Sequence, residues 1–359
     1  MTDHKLIMNF SADNAEGYEK FIPYYEAYKS GAATVGTVSF SEANNKMLDF
    51  LKGEVAKRSK VTVEDYGGDV MQYCQITSVR EAAFSVVSVL TDLIVPNALM
   101  KNLGYIAEMK NVAWGDSLKV ELRPRDLFIA SKFGRGKRLP EIVRQYNGIK
   151  TVVPELRAIA VGMSFYDILI GRYSLAEFIA KAVSSIETSM RYDVWDNFVT
   201  AMATLDSSGD AKLRYTGYTM DDAITLAQTV GAWNSSPAVF MGTKIACSKI
   251  LPLSTNYRFD LGSEYATLGH VRDFAGTSVI ELEQIADYGT EFSLKLPDNK
   301  IYVISPSAQK IMHIAIEGNT LSNITNPTEA ANLIATGSIM KSWGVAVATS
   351  AIAGEITLS

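Results

Sequence analysis

The apolar positions of this chain follow two periods. Leu175, Phe178, Ala182, Ile186, Met190, Val194, Phe198 and Met202 recur at three- and four-residue steps, the spacing of one helix face. Ser174 and Glu177 form a capping box at the start of this run, and no Pro or Gly interrupts it before Gly209. The pattern predicts a helix over 174–205, about 45 Å long at 1.5 Å per residue. A second helix is predicted from Ser41 to about Lys57, with Met47, Phe50, Leu51 and Val55 on one face. A third, buried, is predicted from Arg80 to Ile94, punctuated afterwards by Pro96 and Gly104. Leu118, Val120 and Leu122 instead alternate with Lys119, Glu121 and Arg123, the period of a half-buried strand.

The alternating stretch opens a long excursion. Apolar residues continue through Phe128 and Ile129, a polar tip spans 132–150, and a return arm runs from about Thr151 to Val161. Two-stranded ribbons are marginal in water alone, and loops of this length are usually functional. The ribbon is thin and the following helix is far longer than usual. Neither is expected to bury its apolar surface within its own chain, which points to burial on neighbouring copies.

Residues 1–40 read as an arm. Tyr18, Phe21, Tyr24, Tyr25 and Tyr28 lie at helical spacing around Pro23, a sticky segment expected to dock elsewhere. Gly67 and Gly68 mark a turn over 65–69. Beyond Gly217, Thr219 caps a helix from Met220 to about Val230 with Asp221 and Asp222 in its first turn. A strand is expected at 238–241, a helix from Thr243 to Leu251 stopped by Pro252, and a strand at 301–304. Ser305 and Pro306 then predict a helix to about Ile316. Residues 253–276 form a glycine-spaced exposed loop, and 338–348 a final strand returning to the earlier domain.

Composition excludes several classes. The chain has 359 residues, 47% hydrophobic and 20% charged, with a formal net charge of −5. It is neither disordered nor membranous in composition, and it lacks the basic excess of a general nucleic-acid binder. The run from Ala82 to Met100 contains Asp92 and Pro96 and reads as a buried helix rather than a membrane span. The opening residues MTDHKLIMNF contain no apolar h-region and no cleavage site, so secretion is not expected. Cys74 and Cys247 are expected to be free thiols.

The search for chemistry finds little. The three histidines are His4 in the arm, His270 in the glycine-spaced loop and His313 on the expected helix after Pro306, where it reads as a packing residue. No HExxH, CxxC, EF-hand or GxSxG pattern occurs, and residues 134–137 lack the elements of a phosphate loop. Glu281 and Glu283 read as one face of a strand. No catalytic, cofactor or metal residue is predicted, and the chain is not expected to be an enzyme. Charge is more informative. From Ser117 to Arg172 eleven basic residues stand against five acidic ones, whereas 217–299 holds ten acidic and five basic residues. A basic ribbon and an acidic body on one chain suit head-to-tail contact between copies.

This order of elements resembles the tailed-bacteriophage major capsid proteins of the Hong Kong 97-like fold family. The resemblance implies an α+β fold: N-terminal arm 1–40, peripheral domain 41–114, extended β-hairpin loop 115–173, spine helix and second peripheral part 174–216, axial α/β domain 217–320, and a return to the peripheral domain over 321–359. It implies a head protein of the virion, assembled in the host cytoplasm. Its hexamers and pentamers would close an icosahedral shell around double-stranded DNA held by enclosure, with no cofactor and no membrane. Scaffolding, portal and decoration proteins are the implied partners; the short arm implies a separate scaffolding protein or a chain already processed. Arg123, Arg125, Lys132, Arg135, Lys137, Arg138 and Arg144 would contact the adjacent subunit, and His270, Arg272 and Asp273 would lie at the capsomer centre. A crosslink between Lys132 or Lys137 and Asn323 or Asn326 is conceivable by the same likeness. The alternatives are an encapsulin-like nanocompartment shell and a soluble oligomeric enzyme of unknown class.

Overall fold

The computed structural model describes residues 15–69, 72–73, 76–122, 147–163, 174–205, 207, 212–250, 267–287, 293–306, 310–324 and 335–358. The chain begins with helices α1 (Ala15–Glu19) and α2 (Phe21–Ser30), then the short hairpin β1 (Thr34–Val35) and β2 (Val38–Ser39). Helix α3 (Phe40–Ser59) follows, its first turn capped by the Ser39 hydroxyl accepting from the Glu42 amide at 3.3 Å. Next come α4 (Thr77–Leu103), β3 (Ala107–Val112), and the ribbon strands β4 (Leu118–Leu122) and β5 (Gly148–Val152). Strand β6 (Glu155–Met163) precedes the long helix α5 (Leu175–Ala203), where Ser174 accepts from the Glu177 amide at 3.3 Å as the capping box requires.

The second half runs β7 (Arg214–Thr216), α6 (Met220–Asn234), β8 (Val239–Thr243) and α7 (Lys244–Ser248). Then follow β9 (Asp273–Phe274), β10 (Thr277–Leu282), β11 (Ala286–Asp287), β12 (Ser293–Leu294) and β13 (Lys300–Ile304). The long strands β14 (Met312–Ile324) and β15 (Ala335–Val347) and the short β16 (Gly354–Thr357) end the chain. This is an α+β fold, and the succession of arm, ribbon, long helix and separate α/β sheet is the one expected from the sequence.

Two sheets organise the molecule. A four-stranded sheet has the order β3-β14-β15-β6, with β3 parallel to β14 and the other pairs antiparallel. Helices α4 and α5 pack on it; Val87, Leu90, Ile94, Leu99, Ile179, Val183, Met190, Val194 and Phe198 share one core with Ile314, Ile316 and Trp343. A six-stranded sheet of order β7-β16-β13-β8-β10-β9 forms a second core, in which Leu226 and Val230 of α6 meet Phe240, Ile301, Val303 and Ile356. Thus β16, the last strand, joins the sheet of the 214–304 region.

Four expectations change. Helix α5 buries its apolar face within its own chain, because α3, α4 and the four-stranded sheet together are long enough to cover it. The aromatic arm likewise docks on its own chain. Tyr18, Phe21, Tyr24 and Tyr25 are all sealed from solvent. Tyr18 meets Phe50 edge-on at 5.3 Å and Tyr24 stacks on Phe40 at 5.2 Å. Pro23 lies in the first turn of α2, where a missing N–H costs nothing.

Helix α4 passes through Pro96 to Leu103, since burial of Leu99 and Leu103 offsets the lost backbone bond. It is long and apolar enough to cross a bilayer by composition, yet most of it lies inside this core. Finally, the expected helix after Pro306 is strand β14. Its apolar run is buried on both faces, so it carries no alternation to separate strand from helix. The Ser305 hydroxyl lies 2.9 and 2.8 Å from the Ser236 and Pro237 carbonyls instead of capping a helix.

Candidate assembly surfaces

The ribbon is anchored on one face. Leu118 opposes Val152 and Val120 opposes Lys150 across the antiparallel pair. Leu118, Val120 and Val152 are buried against Ala315 and Ala348, a small core of their own. The opposite face is set by the period of two: Lys119, Thr151, Glu121 and Ile149 point away from that core. Ile149 is 67% exposed, and so is Val153, with Leu156 at 57%. Three large aliphatic side chains within residues 149–156 therefore face solvent. Strand β6, which carries Leu156, is also an edge strand of the four-stranded sheet, so among the described residues no strand lies beside one row of its backbone groups.

Sequence reasoning missed these three residues. It began the return arm at Thr151, and the signal it passed over was Ile149, a β-branched residue directly after Gly148. The basic residues it selected instead, Arg123, Arg125, Lys132, Arg135, Lys137, Arg138 and Arg144, all lie outside the described residues, as does Asn326. Of the ribbon's remaining cations, Arg157 is engaged internally. Its guanidinium lies 3.1 Å from Asp193 and 5.2 Å from the centre of the Trp343 ring.

The second predicted group splits by position. Strands β9 and β10 are joined by Ala275 and Gly276, both at positive φ (50° and 76°), the conformation of a tight hairpin turn. Arg272 and Asp273 are exposed on this hairpin. The Asp273 carboxylate accepts from the Ser278 hydroxyl at 2.7 Å, and the Arg272 carbonyl accepts from the Val279 amide at 2.7 Å. His270 is buried at 4% exposure, its Nδ1 facing Glu281 at 3.8 Å. The turn brings Arg272 and Asp273 together and turns His270 inward. Residues 251–266 of the glycine-spaced loop lie outside the described residues.

The buried charges are spent on architecture. Glu355 is fully buried between Arg214 at 3.2 Å and Lys300 at 3.1 Å, tying β16 to its neighbours β7 and β13. Asp92 of α4 accepts from the Thr320 amide and hydroxyl and from Lys341, gripping β14 where its register shifts between Glu317 and Leu321. A groove of about 280 Å³ between α2 and α4 is lined by Ile22, Tyr25, Lys29, Ile94, Asn97 and Lys101.

Burial pushes the Cys247 thiol up to about 12, further raised by Glu281, so the thiol stays protonated. Cys74 lies outside the described residues. Among the described residues no group of three or more His, Cys, Asp or Glu side chains is placed to hold a metal ion.

No family model matches the chain, and no curated protein sequence matches it. Among solved structures, it is similar to the capsid of the cyanophage P-SCSP1u, at 12% identity over 72% of this chain and 88% of that one, with a TM-score of 0.49. It is also similar to the capsid of the native GTA particle, at 13% identity over 72% and 90% of the two chains, with a TM-score of 0.48. A third likeness is to the virus-like particle from Pyrococcus furiosus, at 10% identity over 74% and 96%, with a TM-score of 0.41. Identities this low carry no residue role from one chain to another.

Proposed function

We propose that this chain is a structural shell protein, a major capsid protein of the Hong Kong 97-like kind. Its copies associate into hexamers and pentamers of an icosahedral shell that encloses double-stranded DNA. The observation that carries the reading is the stretch from the end of the ribbon into β6, where Ile149, Val153 and Leu156 stand in solvent and β6 is an edge strand among the described residues. Burying each of these side chains is worth about 1.5–3 kcal/mol, and a neighbouring copy is the partner that supplies the same surface many times over.

In this reading the inner face of the ribbon fixes its root to the chain's own sheet. The outer face supplies apolar contact area to the next copy. The basic tip, including Arg135, Lys137 and Arg138, meets the acidic 217–299 region of a neighbour, and charge complementarity sets register rather than affinity. Arg272 and Asp273 face other copies around the capsomer axis. The 217–304 region forms the axial domain and the four-stranded sheet with α4 and α5 the peripheral one. Scaffolding and portal proteins are the partners of assembly, and the mature location is the virion.

Ile149→Asp with Leu156→Asp tests this reading. The double variant is expected to keep the far-ultraviolet spectrum and unfolding midpoint of the parent, since both side chains are exposed. By light scattering and negative-stain microscopy it forms no shells where the parent does. Normal shells from the variant, or a parent that remains a small closed oligomer under all assembly conditions, would overturn the proposal. Nuclease-protected DNA inside purified shells is expected; enclosed protein cargo instead would reassign the chain to a nanocompartment.

A further inference from the structure

His313 sits on β14 directly opposite Glu108 of the parallel neighbour β3, and it is 3% exposed. Its Nε2 lies 2.9 Å from the Ala348 carbonyl. A carbonyl only accepts, so Nε2 carries the proton and Nδ1 of the neutral ring holds a lone pair. Nδ1 has no hydrogen-bond partner. It faces the Glu108 carboxylate at 3.6 Å, beyond a hydrogen bond. That carboxylate is already held by Lys110 at 3.0 Å on its other oxygen.

Protonating the ring in this arrangement adds an N–H at the buried Nδ1, and the carboxylate that faces it, Glu108, stands beyond hydrogen-bond distance at 3.6 Å and is engaged by Lys110. The charged groups facing the ring act in both directions: Glu108 favours the imidazolium and Lys110 opposes it, while the backbone of Ala348 and Lys310 favours it. Burial outweighs them and holds the ring's pKa below the ordinary histidine value. A proton therefore binds the opened arrangement, in which water reaches Nδ1, better than the docked one.

The position gives this a consequence. Ala348, whose carbonyl the ring holds, belongs to the small core under the ribbon with Leu118, Val120 and Val152. Strand β3, which carries Glu108, leads through residues 113–117 into β4.

We propose that His313 is an acid-operated release at the root of the ribbon. The neutral ring holds β3, β14 and the Ala348 segment docked, and its protonation favours their opening, with Glu108 and Lys110 setting the size of the effect in opposite directions.

Hydrogen exchange of the backbone amides at 107–112 and 118–122 tests this on the full chain between pH 8 and 5, with rates corrected for the intrinsic pH dependence of exchange. The parent is expected to show a several-fold acid-induced rise at these amides, bounded by the ratio of proton affinities of the open and docked states. The rise grows in Glu108→Gln, shrinks in Lys110→Met and vanishes in His313→Gln. The Glu108 and Lys110 side chains are about half exposed, at 41% and 52%, so their variants keep the test valid if His313→Gln fails to fold. A parent without the rise, or Glu108→Gln and Lys110→Met rises equal to the parent's, would overturn the proposal. The readout needs no assembled particle, so it stands or falls separately from the shell reading.

Discussion

The Tyr25 hydroxyl donates a 2.6 Å hydrogen bond to Glu187, a residue 162 positions away on the long helix and only 1% exposed. Lys29, one turn further along α2, pairs with the other carboxylate oxygen at 2.6 Å. Both oxygens of this buried carboxylate are thus satisfied by the arm. Burial, then the Glu187 charge, holds the Tyr25 phenol far above its ordinary range, so it stays a donor at every accessible pH.

Glu187→Ala is expected to cost about 2–3 kcal/mol in urea unfolding, because it strands a buried phenol and an ammonium. Tyr25→Phe removes one bond and costs about 1 kcal/mol. Limited proteolysis is expected to cut within 15–30 much faster in Glu187→Ala than in the parent. Unchanged protection would show that the aromatic contacts alone hold the arm.

Gly318 lies in β14 at φ 51°, and the indole of Trp114 occupies the place where a Cβ would stand. Gly318→Ala carries both a backbone cost of about 1 kcal/mol and a clash. The expected loss is about 2–3 kcal/mol in total. In a Trp114→Ala background the clash is gone and the backbone cost remains, so roughly half the loss should be recovered. Additive losses in the double-mutant cycle would contradict the contact.

Asp92 pairs with Lys341, whose side chain is buried at 3% exposure while that of Asp92 is 17% exposed. Asp92→Ala leaves an uncompensated ammonium and should cost about 3–5 kcal/mol. Lys341→Met leaves Asp92 its bonds to Thr320, at 3.0 and 2.6 Å, and should cost less. The double variant is expected to fall well short of the sum of the single losses; strict additivity in calorimetry would show that the two groups do not interact.

Glu317 accepts from the Ser342 hydroxyl and, at 2.5 Å, from the Gly115 amide, and these bonds hold its carboxyl below the ordinary glutamate value. A lowered folded-state pKa means that the unfolded chain takes the proton first. The stability from Glu317 is therefore present above the unfolded value of about 4.5 and is lost as pH falls through the folded one. Unfolding midpoints measured at pH 7 and pH 3.5 should drop less in Glu317→Gln than in the parent. An identical drop would remove Glu317 from the acid response.

The sequence by itself determined the local structure wherever chemistry and period agree. Ser174 with Glu177 gave the start of α5, and Thr219 gave that of α6, its hydroxyl accepting from the Asp222 amide at 3.1 Å. Leu118, Val120 and Leu122 gave the inward face of β4, because alternation is visible in a strand wet on one side.

What only the tertiary structure decided is what each apolar surface meets. An aromatic stripe such as Tyr18–Tyr25 looks the same whether it docks on its own chain or another. Only the placement of Phe40, Phe50 and Glu187 beneath it settles the matter. Strand β14 was illegible for a related reason: a segment buried on both faces loses the alternation that marks a strand. The exposed Ile149, Val153 and Leu156 were hidden likewise, since exposure is a property of the neighbours a residue lacks, and a sequence does not state them.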